Sequence, residues 1–416
     1  MTGVIATEGN ETVQGVEVNV NNAMSMTTSS DGTYHFDNLP LGGDYTVTPY
    51  LNANPLNGVT TFDIILISKH ILGVQALDSP YKRIAADANR SNTITTLDLI
   101  HIRKLILNIT TEFSNNTSWR FVETAYAFPD ATNPWFETFP ELINENNLSA
   151  DVLDADFVGV KIGDVNASAQ ANLLSSDDRT LNGLFNFETE NIELKAGNTY
   201  TIPFTGADMA SVEGYQATLA LQGVELVDIQ YGIAQAANFG LRYAEQGMIT
   251  TSWNRRDAMH RVSTDRVSTN TILFSLIIEV TEDAMLNEVI SISSRYTQAE
   301  AYVDGNTTDV GIQFTNGAGQ SDVFALYQNI PNPFVDKTMI SFSIPTDSEV
   351  TITLRDVRGR LLNTIKGDYA AGVNNVQLTK RMLNGITGVV SYTVTAVSLG
   401  SAEGEHTATR KMVVVE

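Results

Sequence analysis

The chain has 416 residues, 43% of them hydrophobic, and carries 48 acidic against 25 basic side chains for a net charge of −23. That balance excludes the basic footprint a nucleic-acid binder needs, and the lack of any cysteine excludes disulfides and thiolate chemistry. The length suggests about three domains, no apolar run is long enough to span a bilayer, and the start at Met1 lacks the basic and apolar regions of a signal peptide.

Residues 1–50 read as short strands. Val16–Val20 alternates, followed by Met24–Thr28, Thr33–Phe36 and Tyr45–Thr48, with turns at Ser30-Asp31-Gly32 and Leu41-Gly42-Gly43. This order resembles the end of a carboxypeptidase-regulatory-like or Cna-B-like β-sandwich. Fifty residues are few for such a sandwich, so a truncated unit, and hence the tail of a longer protein, is expected.

Residues 51–108 hold one short pattern twice, with Asp63 and Asp98 thirty-five positions apart. The second copy places oxygen-bearing residues where a twelve-residue calcium loop needs them: Asp87, Asn89, Ser91, the Thr93 carbonyl, Thr95 and Asp98. The first copy is poorer. Asn52, Asn54, Gly58, Thr60 and Asp63 take the corresponding places, but Leu56 brings no side-chain oxygen to the fifth. A helix follows each copy, with apolar residues at helical spacing such as Leu99, Ile102, Leu105 and Ile106. The same residues also suit an Asx-rich turn capping a helix; duplication favours the metal.

Paired loops of this kind, each ending in Asp, resemble the type I dockerin, a module that binds a cohesin partner. The resemblance implies Ca2+ as the ligand. It also implies partner contacts at Thr61, Phe62 and Lys69 in the first repeat and at Thr96, Leu97, Arg103 and Lys104 in the second. Read by themselves, Lys69, Arg103 and Lys104 suit a solvated helix face.

Residues 109–170 form an aromatic-rich extension, including Trp119, Phe121, Tyr126, Phe128, Trp135, Phe136 and Phe139. These rings are expected to pack against the repeats; a sugar-stacking platform is the alternative. Asp164-Val-Asn166 has the start of a further calcium loop with no glycine, closing Asp or helix on cue, so it either lends a ligand to the repeats or caps the module. Residues 171–189 read as a linker.

Residues 190–316 show many strands at the spacing of a β-sandwich. Gly214–Leu219 with Ile272–Leu276 resembles the cohesin-like fold, and the basic residues Arg255, Arg256, His260 and Arg261 read as a solvated loop. After a linker at 317–325, residues 326–416 read as an Ig-like sandwich: Ile340, Phe342 and Ile344 alternate, as do Val350, Ile352 and Leu354. Leu326–Phe334, Val350–Arg360, Gly388–Val394 and Thr409–Val415 resemble the C-terminal type A sorting domain of the type IX secretion system of Bacteroidetes. That resemblance implies export across the outer membrane and surface anchoring.

The expected architecture is thus multi-domain and mainly β, with Ig-like β-sandwiches flanking a small helical dockerin-like calcium-loop module. No nucleophile elbow, phosphate loop or His-Glu-x-x-His motif occurs, and the five histidines are scattered. The expected function is non-catalytic: calcium-stabilised docking to a cohesin-like or dockerin-like partner on a secreted, cell-surface protein that engages the type IX machinery. The alternative is an accessory region of a polysaccharide-degrading system that binds carbohydrate.

Overall fold

The computed structural model describes residues 1–172, 183–206, 209–255, 272–316, 324–326, 329, 332–369, 372–399 and 405–415. The centres of both expected linkers, Arg256, His260, Arg261, Pro331 and the hairpin at 400–404 lie outside the described residues.

The first unit takes strands from both sides of the helices. Strands β1 (Thr2–Thr7), β2 (Glu17–Val20), β3 (Met24–Thr27), β4 (Thr33–His35) and β5 (Tyr45–Tyr50) precede helices α1 (Thr61–Ile71), α2 (Pro80–Ala86) and α3 (Thr96–Ile106). Strands β6 (Trp119–Glu123), β7 (Ile143–Glu145) and β8 (Phe157–Lys161) follow. One sheet runs β4-β1-β8-β6 and the other β3-β2-β5-β7. β8 lies parallel to β1, with Ile5 opposite Phe157, and β7 lies antiparallel to β5.

The helices are therefore an insertion in a sandwich, and the expected boundaries at 50 and 108 fall inside one unit. The cause is apolar burial. Val16, Val18, Val20, Tyr34 and Val47 are fully buried, and each such side chain favours burial by about 1.5–3 kcal/mol. The five early strands leave that face open, and Trp119, Phe121 and Phe157 close it. The aromatic extension is thus divided. Trp119 and Phe121 enter the sandwich core, Phe139 with partly buried Tyr126, Phe128 and Trp135 enters the helical core, and Phe136 stays exposed.

The second unit comprises β9 (Leu184–Asn191), β10 (Glu193–Leu194), β11 (Thr199–Gly206), β12 (Val212–Leu221), β13 (Val224–Tyr231), β14 (Phe239–Gly240) and β15 (Met248–Asn254). It continues with β16 (Phe274–Val280), β17 (Ala284–Met285), β18 (Ile290–Ser293), β19 (Glu300–Val303) and β20 (Asn306–Asn316). The main sheet runs β13-β16-β11-β9-β20-β19-β12-β15-β14, with β18 also on β12. It wraps as a sandwich around aromatic side chains: Phe187 meets Phe204, Tyr215 and Phe274 from three other strands.

One strand departs from the alternation a half-exposed sheet should show. Nearly every residue of β12 is buried, including Gln216 and Thr218. On β15, Thr250, Ser252 and Asn254 are buried too. These side chains line up in register, Gln216 with Ser252 and Thr218 with Thr250. Something polar-compatible covers this outer face, and it is the helical insertion.

The third unit has β21 (Ala325–Leu326), β22 (Lys337–Ile344), β23 (Ser348–Asp356), β24 (Leu361–Tyr369), β25 (Gly372–Thr379), β26 (Gly388–Ser398) and β27 (Glu405–Val414). Its sheets run β21-β22-β25 and β24-β23-β26-β27. Ile340, Phe342, Ile344, Val350, Ile352 and Leu354 point inward, as their alternation predicts. Among the described residues no helix is long and apolar enough to cross a membrane.

Candidate metal loops and docking face

The second-repeat loop joins α2 to α3. Asp87 accepts the Ser91 and Asn92 N–H groups, each at 2.8 Å. Asn89 Oδ1 accepts Ser91 N–H at 3.0 Å, and Ser91 Oγ donates to the Thr93 carbonyl at 3.2 Å. Asp98 closes the loop, accepting Asn89 N–H at 3.1 Å and Thr95 N–H at 2.8 Å. Thr95 and Asp98 also form the capping box of α3, so the helix start holds the closing carboxylate. Both aspartates are fully buried, and burial raises the Asp87 carboxyl above its usual range.

The first-repeat loop has the same geometry but is assembled from two distant pieces. Asp63 accepts Thr60 N–H at 2.8 Å, within the capping box of α1. Its other oxygen accepts Val165 N–H at 2.8 Å and Asn166 N–H at 3.3 Å. Asp164 accepts the N–H groups of Ser168 (3.2 Å) and Ala169 (2.7 Å). Asn166 Oδ1 accepts Ser168 N–H at 3.2 Å, and Ser168 Oγ donates to the Gly58 carbonyl at 3.0 Å. All but one of these contacts repeat one in the Asp87–Asp98 loop; the exception is Val165 N–H, whose counterpart Ala88 N–H donates to the Ala86 carbonyl instead. Ala167 and Arg90 share the left-handed backbone, at φ 58° and 57°.

The two pieces are sewn together by Asn57, which exchanges two hydrogen bonds with the Gln170 backbone. Gly58 sits at φ +74° where a Cβ would lie 2.5 Å from Ala169 backbone atoms, so only glycine fits that crossing.

Asn52 and Asn54, expected among the ligands, do not join this hydrogen-bonded loop. Asn52 Oδ1 accepts Ser118 N–H at 2.9 Å, and Asn54 is an exposed left-handed turn residue. In the hydrogen-bond pattern, Asp164, Asn166 and Ser168 correspond to Asp87, Asn89 and Ser91, and Gly58, Thr60 and Asp63 to Thr93, Thr95 and Asp98. A contiguous loop fails here because Pro55 and Leu56 supply no side-chain oxygen. The sequence signal for the composite loop is the spacing Asp164-x-Asn166-x-Ser168, identical to Asp87-x-Asn89-x-Ser91.

Each loop offers two carboxylates with amide, hydroxyl and carbonyl oxygens, the donor set of a hard cation such as calcium. Among the described residues no cluster of three or more His, Cys, Asp or Glu side chains forms a denser metal centre. Asp63 and Asp164 are both buried and face each other. Burial, then their mutual charge, pushes the Asp63 carboxyl well above its usual range; burial also raises Asp164. Lys161, buried beside them, donates to the Pro55 carbonyl at 2.7 Å. A buried acid pair of this kind draws positive charge, and the Lys161 ammonium already supplies some of it.

The docking face adjoins the composite loop. Thr61 N–H donates to Gln216 Oε1 at 2.7 Å, and its hydroxyl pairs with Ser252 Oγ at 2.7 Å. Phe62 stacks on Tyr302, with ring centroids 5.2 Å apart. Lys69 pairs with Glu213 at 3.0 Å, and Arg103 bonds Asn254. At the far end of α3, Thr297 Oγ1 donates to the Ile106 carbonyl at 2.6 Å and Thr250 Oγ1 to the Leu107 carbonyl at 2.7 Å. Two glycines permit this approach: a Cβ on Gly240 would lie 2.2 Å from the Leu107 oxygen, and one on Gly214 would lie 3.1 Å from Ile65.

No protein-family profile and no curated protein matches the chain. Solved structures share part of it. A type I cohesin–dockerin complex from Clostridium thermocellum is 13% identical over 33% of this chain and 94% of the other, with a TM-score of 0.23. A type II cohesin dyad from a scaffoldin of Acetivibrio cellulolyticus is 9% identical over 54% and 98%, with a TM-score of 0.26. A pullulanase from Group B Streptococcus is 12% identical over 53% and 22%, with a TM-score of 0.17.

Four of the expected partner residues, Thr61, Phe62, Lys69 and Arg103, meet the second sandwich. Thr96, Leu97 and Lys104 are exposed. The receiving residues Glu213, Gln216, Ser252, Asn254 and Tyr302 were not foreseen, because polar side chains alternating along a strand read as a solvent face.

Proposed function

We propose that the chain is a non-catalytic docking scaffold in which a calcium-stabilised helical module occupies the receiving face of its own second sandwich. The observation that carries this reading is the seating of α1 on β12 and β15 through Thr61, Gln216 and Ser252, with Phe62 on Tyr302. The partner is thus in the same chain, and an external module competes for the same face. Calcium belongs to the reading because the donor sets of both loops suit it. Bound there, it would offset the charges of Asp87 with Asp98 and of Asp164 with Asp63. Thr60 and Asp63 flank Thr61, so a cation in the composite loop would hold the docking residue in place. The third unit, by its resemblance, serves type IX export and attachment at the cell surface.

Calorimetric calcium titration of the full chain tests the metal part. Two sites are expected in the wild type, one in Asp98→Ala and one in Asp164→Asn. Unchanged stoichiometry in Asp164→Asn would rule out the composite loop.

A further inference from the structure

The third unit differs in charge from the rest of the chain. Residues 326–416 hold nine basic and eight acidic side chains, a net +1, so residues 1–325 carry −24 of the total −23. The β23–β24 hairpin is tightly built. Asp356 accepts the N–H groups of Arg358 and Arg360, both at 2.9 Å, and the Arg360 side chain at 3.1 Å. Arg355 Nη1 donates to the Gly359 carbonyl at 2.9 Å. These bonds turn the one carboxylate of the turn between the strands inward and leave Val357 76% exposed at its tip, beside exposed Arg358.

The hairpin forms one wall of an open cleft of about 520 Å3, whose other wall is Ile386, Thr387, Gly388 and Val389. Lys380 reaches the same end, donating to the Val415 carbonyl at 3.0 Å, and exposed Arg381 follows it. Leu361, Val389 and Val415 are exposed there as well.

We propose that this pole binds a bilayer surface bearing anionic phosphate headgroups. Cations around a cleft, with single aliphatic side chains projecting between them, match the two layers of such a surface: phosphates at the level of Arg355, Arg358 and Arg381, and the margin of the acyl chains at Val357 and Val389. A protein partner would instead call for a contiguous apolar centre with a polar rim. The acidic remainder of the chain is repelled by the same surface, so the charge asymmetry also sets the orientation. This proposal stands apart from the docking reading.

The test is co-sedimentation of the full chain with vesicles of phosphatidylcholine alone or mixed with phosphatidylglycerol, at physiological ionic strength. The wild type should pellet with the mixed vesicles and not with the neutral ones. The double variant Arg358→Glu/Arg381→Glu should lose about tenfold or more of that partition, and Val357→Ser about threefold, both with unchanged melting temperature. Equal pelleting of wild type and double variant overturns the proposal. So does absence of pelleting with either vesicle, which returns the pole to a protein partner.

Discussion

Asp63 serves as helix cap, loop closure and neighbour of the docking contact. It holds Thr60 N–H at the start of α1, grips the Val165 backbone, and stands two residues from Thr61. Asp98 has the first two roles in the second repeat, without the third. Loss of a cap alone costs about 1 kcal/mol, so Thr95→Ala should lower the melting temperature modestly in chelator and lose further ground in calcium. A second residue-scale expectation concerns His70, whose Nδ1 accepts Leu77 N–H at 3.3 Å. Burial, then the nearby Arg83 charge, holds its pKa below the usual 6.5. A depressed histidine contributes stability above that value and loses it as pH falls through the folded pKa. Thermal melts should therefore show a loss below pH 6.5 that His70→Gln reduces; identical profiles would remove His70 from the account.

At the scale of elements, the sequence was most legible where each structural unit is contiguous. The loop from Asp87 to Asp98 and the helix after it lie in one stretch, so their spacing alone located them. The alternation of Ile340, Phe342 and Ile344 located a strand in the same way. The composite loop was only half legible, because its halves lie on either side of three helices and three strands. Asp164-x-Asn166 carried the signal, but the closing aspartate it needed is Asp63. β12 was legible as a strand but not as a docking surface, since the burial of Gln216 and Thr218 depends on helices distant in sequence. That dependence gives a test. In Gly240→Ala the new Cβ would collide with the Leu107 carbonyl, at a cost of about 1–3 kcal/mol. Hydrogen exchange should rise in the last turn of α3 and leave β9 and β20 unchanged; an unaltered α3 would mean that the helix end does not rest there.

Across the whole molecule, the helical module belongs to two neighbours at once. Its core includes Val122 and Val160 from the later strands of the first sandwich and Ile162 just after them, and its composite loop includes Asp164. A fragment limited to residues 51–108 lacks all of these and should fail to form a stable helical module in calcium, by circular dichroism. The other neighbour is the second sandwich, whose face the module covers. The most direct test of that covering uses the absence of native cysteine. Phe62→Cys and Tyr302→Cys, placed together in the full chain, should be joined by a short bismaleimide reagent within single chains, with a yield independent of protein concentration. Crosslinks only between chains, or thiols that both label with single maleimides yet never join, would contradict docking of the helical module on its own sandwich.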